Sequence, residues 1–300
     1  MLGPVLFIVY INDIDLVIED RQTCIFEYAD DSKIGRAIQT QADAIALQTD
    51  IDRVWEWSRK WGMDIHPLKT CVMHFGYHNQ KFDYYLNGTK ISKVTSAKDL
   101  GVIISESCSP SDHVANIARK ANSVLSQLRR TIISRNRDVV VNLFKVFVRP
   151  IIEAAGPAWS PYEKQFIDQI EKIQRRATRM IPGIGHLTYE DRLIQCRLPT
   201  LEQRRTRGDL IHVYKMLNGF LHINNENFFC FVNQRHNVTT RSSENNLMIA
   251  EKCRLDVRKY FFKNRIVQMW NNLPIEAREA ASVNSFKMLY DEWNDNNVTT

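Results

Sequence analysis

Thr23-Cys24-Ile25-Phe26-Glu27-Tyr28-Ala29-Asp30-Asp31-Ser32-Lys33-Ile34 is rich in β-formers, is broken by two adjacent carboxylates and then resumes. That pattern predicts a hairpin with an acidic tip. Neighbouring aspartates repel, and one of the pair is protonated more easily unless a cation sits beside them; a divalent metal is the usual remedy. Mg²⁺ takes oxygen ligands in octahedral geometry, often one or two carboxylates with water and phosphate oxygens, so a rigid acidic hairpin suits it. Asp-Asp-Ser is also ordinary turn chemistry, because short polar side chains hydrogen-bond their own backbone. The apolar strand that runs into the pair, with Tyr28 just before it, favours a site.

Around the hairpin, 300 residues with 44% hydrophobic content are enough for a buried core and for two or three subdomains. The six cysteines are scattered without metal-ligand spacing or a disulfide framework, which predicts reduced thiols in an intracellular, unsecreted protein. Met1 to Ile11 is apolar but is interrupted by Asn12 and Asp13, far short of a membrane span, and reads as a buried helix entered through Gly3-Pro4. No membrane partner is expected. A chain that starts inside such an element reads as truncated.

Charge is unevenly distributed. Residues 1–111 carry 11 Lys and Arg against 15 Asp and Glu, residues 112–215 carry 19 against 10, and residues 216–300 carry 10 against 9. The positive charge therefore sits in the middle third.

In chain order, a helical period runs from Asp43 to a stop at Gly62. Thr70 to Phe75 reads as a strand, Tyr84 to Ile91 as a hairpin closed by Asn87-Gly88, and Leu100 to Ile104 as another strand, giving a small sheet with helices packed on it. From Ser111 the period turns helical. Val114, Ile117, Ala118, Ala121, Val124, Leu125 and Leu128 form one stripe behind a Ser111 or Asp112 cap, with Arg119, Lys120, Arg129 and Arg130 off it. Further helices are expected at Val139–Val148, ended by Pro150; at Glu163–Met180; and at Leu201–Leu217, ended by Gly219.

Basic residues cluster at Arg175, Arg176 and Arg179, and at Arg204, Arg205 and Arg207. Spaced along helices, such side chains neutralise nucleic-acid phosphates without reading bases. A basic helix face is equally often simply solvated, and the nearby acidic hairpin favours phosphate tracking.

Tyr28-Ala29-Asp30-Asp31 resembles the catalytic box of reverse transcriptases, and the neighbouring segments extend the likeness to non-LTR retrotransposons of the jockey-like and CR1-like kind. Upstream these are Leu2-Gly3-Pro4-Val5-Leu6-Phe7 and Tyr10-Ile11-Asn12-Asp13. Downstream they are Trp55-Glu56-Trp57-Ser58, Lys69-Thr70, Asp99-Leu100-Gly101-Val102, Val148-Arg149-Pro150, Ile170 to Thr178, Arg204 to Ile211, and Trp270-Asn271-Asn272-Leu273-Pro274. The resemblance implies an α+β fold: a partial polymerase palm of β-hairpins with packed helices over residues 1–110, an all-α thumb over 111–220 and a helical tail over 221–300.

It further implies an RNA-directed DNA polymerase, with Asp30 and Asp31 as Mg²⁺ ligands and Tyr28 supporting the primer end. Leu100 and Gly101 would lie in the hairpin that grips the primer. Lys69 matches a lysine that protonates the leaving pyrophosphate, or is an ordinary surface lysine after Pro67. The partners implied are an RNA template, a DNA primer and deoxynucleotide triphosphates. The family pattern also has an upstream aspartate, basic finger residues and an endonuclease, none of which is found here. The expectation is therefore the carboxy-terminal part of the polymerase, inactive alone. A non-catalytic nucleic-acid-binding remnant is the alternative.

Overall fold

Thr40 and Asp43 form a capping box: the Thr40 hydroxyl accepts the Asp43 N–H, and the Asp43 carboxylate accepts the Thr40 N–H at 2.8 Å. With Arg59 and Lys60 in its last turn and Gly62 at φ 68° beyond it, the helix Gln41–Lys60 has favourable chemistry at both ends. In the computed structural model, which describes residues 2–221, 228–232 and 247–298 (the side chains only to 296), this helix is the spine of the first of two units. That unit comprises Met1–Lys98 with Ser105–Cys108; the second comprises Asp99–Ile104 and Ser109–Thr300.

The first unit contains α1 (Gly3–Ile11), a 3₁₀ turn (Ile14–Val17), β1 (Thr23–Tyr28), β2 (Asp31–Arg36) and the spine, α2. Short strands follow: β3 (Cys71–Val72), β4 (Tyr85–Leu86), β5 (Thr89–Lys90) and β6 (Ser92–Lys93). One end of α2 buries Ala44 and Leu47 against Tyr84, Leu86 and Ile91, while the other buries Val54 and Trp57 against Ile11 and Ile14.

Three expectations are corrected here. The described strands form separate two-stranded pairs, β1 with β2, β4 with β5, and β3 parallel to β6, in place of one small sheet. The strand expected over Thr70–Phe75 shrinks to Cys71–Val72, because His74 turns inward to stack on Tyr84 and Gly76, at φ 96°, redirects the chain. Finally, α1 begins through Pro4 as expected but is not a buried helix. Only Ile11 is buried, whereas Leu2, Val5, Leu6, Ile8 and Val9 are more than half exposed. A helix that is apolar all round can bury only the side that meets a neighbour.

The capping box carries a pH signature. Hydrogen bonds from the Thr40 N–H, the Thr40 hydroxyl and the Gln39 N–H hold Asp43 at a pKa of about 2. Because the folded pKa is depressed, the stabilisation is complete above the ordinary aspartate range and is lost as pH falls toward that value. We expect the protection factors of the amides in the first turn of α2, taken against their intrinsic rates at each pH, to fall on acidification from about pH 4, near the unperturbed aspartate pKa. Asp43→Asn should flatten that dependence; an unchanged profile in the variant would exclude the cap as its source.

The chain passes between the units through β7 (Ser96–Asp99) and β8 (Val102–Ser105). The second unit is helical: α3 (Ser111–Thr131), α4 (Arg137–Leu143), α5 (Arg149–Glu153), α6 (Gly156–Trp159), α7 (Lys164–Arg179), α8 (Tyr189–Cys196) and α9 (Leu201–Leu217), then α10 (Asp256–Lys259), α11 (Phe262–Asn271), α12 (Ile275–Arg278) and α13 (Val283–Val298). The α3 stripe is buried at Val114, Ile117, Ala118, Ala121 and Leu125, packing on Phe144, Val148, Ile170 and Ile173. Its cap position is Pro110, with Ser111 and Asp112 already inside the first turn.

Pro150 does not end the preceding helix. A π turn over Phe144–Val148 joins α4 to α5, and the Arg149 N–H reaches back to the Phe144 carbonyl. The wider turn makes room for a proline ring that would clash with the carbonyl four residues back in an α-helix. Residues 111–220 and the later helices also form one unit, because α9 places Leu201 in the first core and Leu210, Val213 and Tyr214 in a second core with Ile266, Trp270 and Phe286.

Candidate functional site

The acidic hairpin forms in the expected place. Thr23 pairs with Arg36, Ile25 with Ile34 and Tyr28 with Asp31, leaving Ala29-Asp30 as a two-residue loop. Such loops favour residues that accept positive φ, and Ala29 sits at φ 52°, a conformation that costs a non-glycine residue on the order of 1–2 kcal/mol. The backbone is therefore strained immediately before Asp30.

Strand alternation separates the two faces. Ile25 and Ile34 join the core beneath, next to Val54 and Trp57. The opposite face carries Phe26, Tyr28, Asp31 and Lys33, of which Phe26 is 62% and Tyr28 65% exposed. Tyr28 and Asp31 stand directly across from each other, with Asp30 adjacent in the loop. Both aspartates are exposed, and neither makes an ion pair among the described residues. The result is an aromatic surface beside two uncommitted carboxylates.

Lys69 lies in the same unit, exposed in the turn where its N–H donates to the His66 carbonyl at 3.0 Å. No described hydrogen bond or ion pair joins its ammonium to Asp30 or Asp31. Leu100 and Gly101 form the turn between β7 and β8, at φ 45° and 90°, and belong to the second unit. Leu100–Ile104, expected as one strand, is thus a turn followed by β8.

The basic residues divide sharply. On α7, Lys172, Arg176 and Arg179 are exposed at i, i+4 and i+7, forming one stripe. Arg176 donates to the Asn122 side chain at 2.8 Å, which ties the stripe to α3, where Arg119, Lys120, Arg129 and Arg130 are also exposed. Lys172 was not singled out in the sequence, although its spacing from Arg176 made it legible.

Four expected phosphate contacts are committed elsewhere. Arg175 is half-buried over the Tyr189 ring, 4.7 Å from its centroid. Arg204 forms a fork with both Glu153 oxygens. Arg207 does the same with Asp291, at 2.6 and 2.7 Å. Arg205 is 7% exposed, and burial lowers its pKa against the opposing pull of Glu171, Glu202 and Asp209. For the three on α9 the reason is the position of that helix between two cores: cations on a buried helix must be matched by carboxylates.

No protein-family model matches the chain, and no solved structure matches it. Two curated proteins do. The RNA-directed DNA polymerase from mobile element jockey of Drosophila funebris is 24% identical over 185 residues, covering 60% of this chain and 18% of that protein. The probable RNA-directed DNA polymerase from transposon X-element of Drosophila melanogaster is 23% identical over 191 residues, covering 61% of this chain and 21% of that protein. The chain thus spans about a fifth of the length of these relatives. The resemblance to the reverse transcriptases of non-LTR retrotransposons stands. Among the described residues, no helix is long and apolar enough to cross a membrane.

Proposed function

We propose that this chain is part of an RNA-directed DNA polymerase, in which the β1–β2 hairpin supplies metal-binding carboxylates and the helical unit holds the template and primer by their phosphates. The observation that carries this reading is the pairing of Tyr28 with Asp31 beside Asp30, exposed and without a cationic partner among the described residues.

The donor set fits Mg²⁺. Two carboxylates leave room for water and phosphate oxygens, which is how this ion is usually held beside nucleotides. When bound, such ions stabilise the attacking and leaving oxygens of an in-line phosphoryl displacement. Asp30 and Asp31 would hold the ion, the Tyr28 ring would offer a surface to the primer end, and Lys69 would donate a proton to the leaving pyrophosphate. Among the described residues no group of three or more His, Cys, Asp or Glu side chains is arranged to hold a metal. In this reading the remaining ligands come from water, phosphate oxygens and further polypeptide. The uncovered apolar faces of α1 support such a completion, since contiguous exposed apolar surface marks an interaction site.

The exposed α3 and α7 cations favour a second reading, a non-catalytic nucleic-acid-binding protein. Both readings expect binding that weakens steeply with salt. Lys172→Glu, Arg176→Glu and Arg179→Glu together should lower affinity for RNA and for RNA/DNA hybrid at least about tenfold and make the log–log salt slope shallower by about 2–3. Fluorescence anisotropy across a salt series measures this, and salt-insensitive binding would refute phosphate tracking. Primer extension by a chimera that completes the site, compared with its Asp30→Asn variant, separates the two readings.

A further inference from the structure

The segment from Glu251 to Arg265 carries six Lys and Arg against two acids and has no place in the reading above. It is firmly seated on the helical unit. Tyr260 stacks on Tyr162 with ring centroids 4.3 Å apart and planes 6° from parallel. Arg265 reaches Asp209 at 2.9 Å and the Pro157 carbonyl at 3.3 Å. Two of the cations are neutralised locally, since Glu251 pairs with Arg258 at 2.9 Å and with Lys263 at 2.5 Å.

The others are not. Lys252 and Arg254 are exposed and make no ion pair among the described residues, and Lys259 lies over the Tyr260 ring at 5.1 Å. Between them stand apolar side chains open to solvent: Leu255 is 72% and Phe261 45% exposed. The nearby acids are Asp256, which is exposed on α10, and Glu163, which acts on Tyr162.

This composition differs from the α7 stripe, which is cationic alone. Cations set beside exposed apolar and aromatic side chains call for an anionic partner that also offers flat apolar faces. Single-stranded nucleic acid has both, because its unpaired bases are free to stack, whereas a duplex keeps its bases inside. We propose that Lys252, Arg254, Lys259 and Phe261 form a binding surface for single-stranded nucleic acid, separate from the α3 and α7 cations.

The test is anisotropy with the full chain, an oligouridylate of about 20 nucleotides, long enough for one binding site, and an RNA duplex of the same length. Phe261→Leu keeps an apolar side chain at that position but removes the π face. It should weaken oligouridylate binding about tenfold and leave duplex binding unchanged. Lys252→Ala, Arg254→Ala and Lys259→Ala together should lower oligouridylate affinity at least about tenfold. Both effects should persist when Lys172, Arg176 and Arg179 are reversed to Glu. Unchanged oligouridylate affinity in Phe261→Leu, or an equal loss on duplex, would overturn the proposal. So would binding of phosphatidylserine vesicles that the triple alanine variant abolishes while oligouridylate binding survives. If reversal of the α7 stripe removes all binding, this surface is refuted and the proposed function stands.

Discussion

Glu171→Ala is expected to destabilise the helical unit by about 3–5 kcal/mol, read as a lower urea midpoint. Glu171 is 5% exposed, accepts hydrogen bonds from the Tyr189 hydroxyl and from the Leu201 N–H at 3.0 Å, and is attracted through space by the Arg205 charge. Leu201 is the first residue of α9, so this carboxylate also meets the positive end of that helix. Truncation would leave Arg205, neither of whose terminal nitrogens has a hydrogen-bond partner among the described residues, without the strongest of its opposing charges.

Glu171→Gln keeps an acceptor and should cost only about 1–2 kcal/mol. The two variants should also differ from the parent in pH response. Burial pushes the Glu171 carboxyl up, outweighing the hydrogen bonds from Tyr189 and Leu201. A raised carboxyl pKa favours the protonated form in the folded state, so this group's contribution declines as pH rises from the ordinary glutamate range through the shifted value. Glu171→Gln removes that decline. If Glu171→Ala shifts the midpoint no more than a surface substitution does, the network is not holding α7, α8 and α9 together.

Local signals were legible in the sequence. Asn87-Gly88 closes its hairpin with both residues at positive φ, 48° and 73°. The α3 stripe is buried where its spacing placed it, and Gly219 follows the end of α9 at φ 71°. These features depend on a few adjacent residues, which is why composition and period expose them.

The misreadings concern partners far away in sequence. Arg204 looks like a free cation until Glu153, 51 residues earlier, is seen to hold it, and Arg207 is paired with Asp291, 84 residues later. No local pattern distinguishes a cation that faces solvent from one that completes a buried pair. In the hairpin, the order of strand, aspartates and strand was legible. Which face carries Tyr28 and Asp31 depended on register, and register is fixed by Ile25 and Ile34 meeting the core.

Catalysis gives the other large effect. The 300-residue chain alone is expected to extend no primer even in abundant Mg²⁺, because Asp30 and Asp31 offer ligands from one side only. Positioning errors of about 1 Å cost on the order of a hundredfold in rate. In a polypeptide that completes the site, Asp30→Asn and Asp31→Asn each remove a charge at the reacting phosphate and should lower incorporation on the order of a thousandfold. The strained loop adds a finer expectation: Ala29→Gly relieves the positive φ without touching a carboxylate, and should leave incorporation within a few-fold of the parent.

The most direct measurement is nucleotide incorporation, on an RNA template with a DNA primer, by a chimera in which this chain replaces the matching segment of the jockey polymerase of Drosophila funebris. The account predicts template-dependent incorporation by the chimera and its loss on Asp30→Asn. Incorporation that persists undiminished in Asp30→Asn would contradict it.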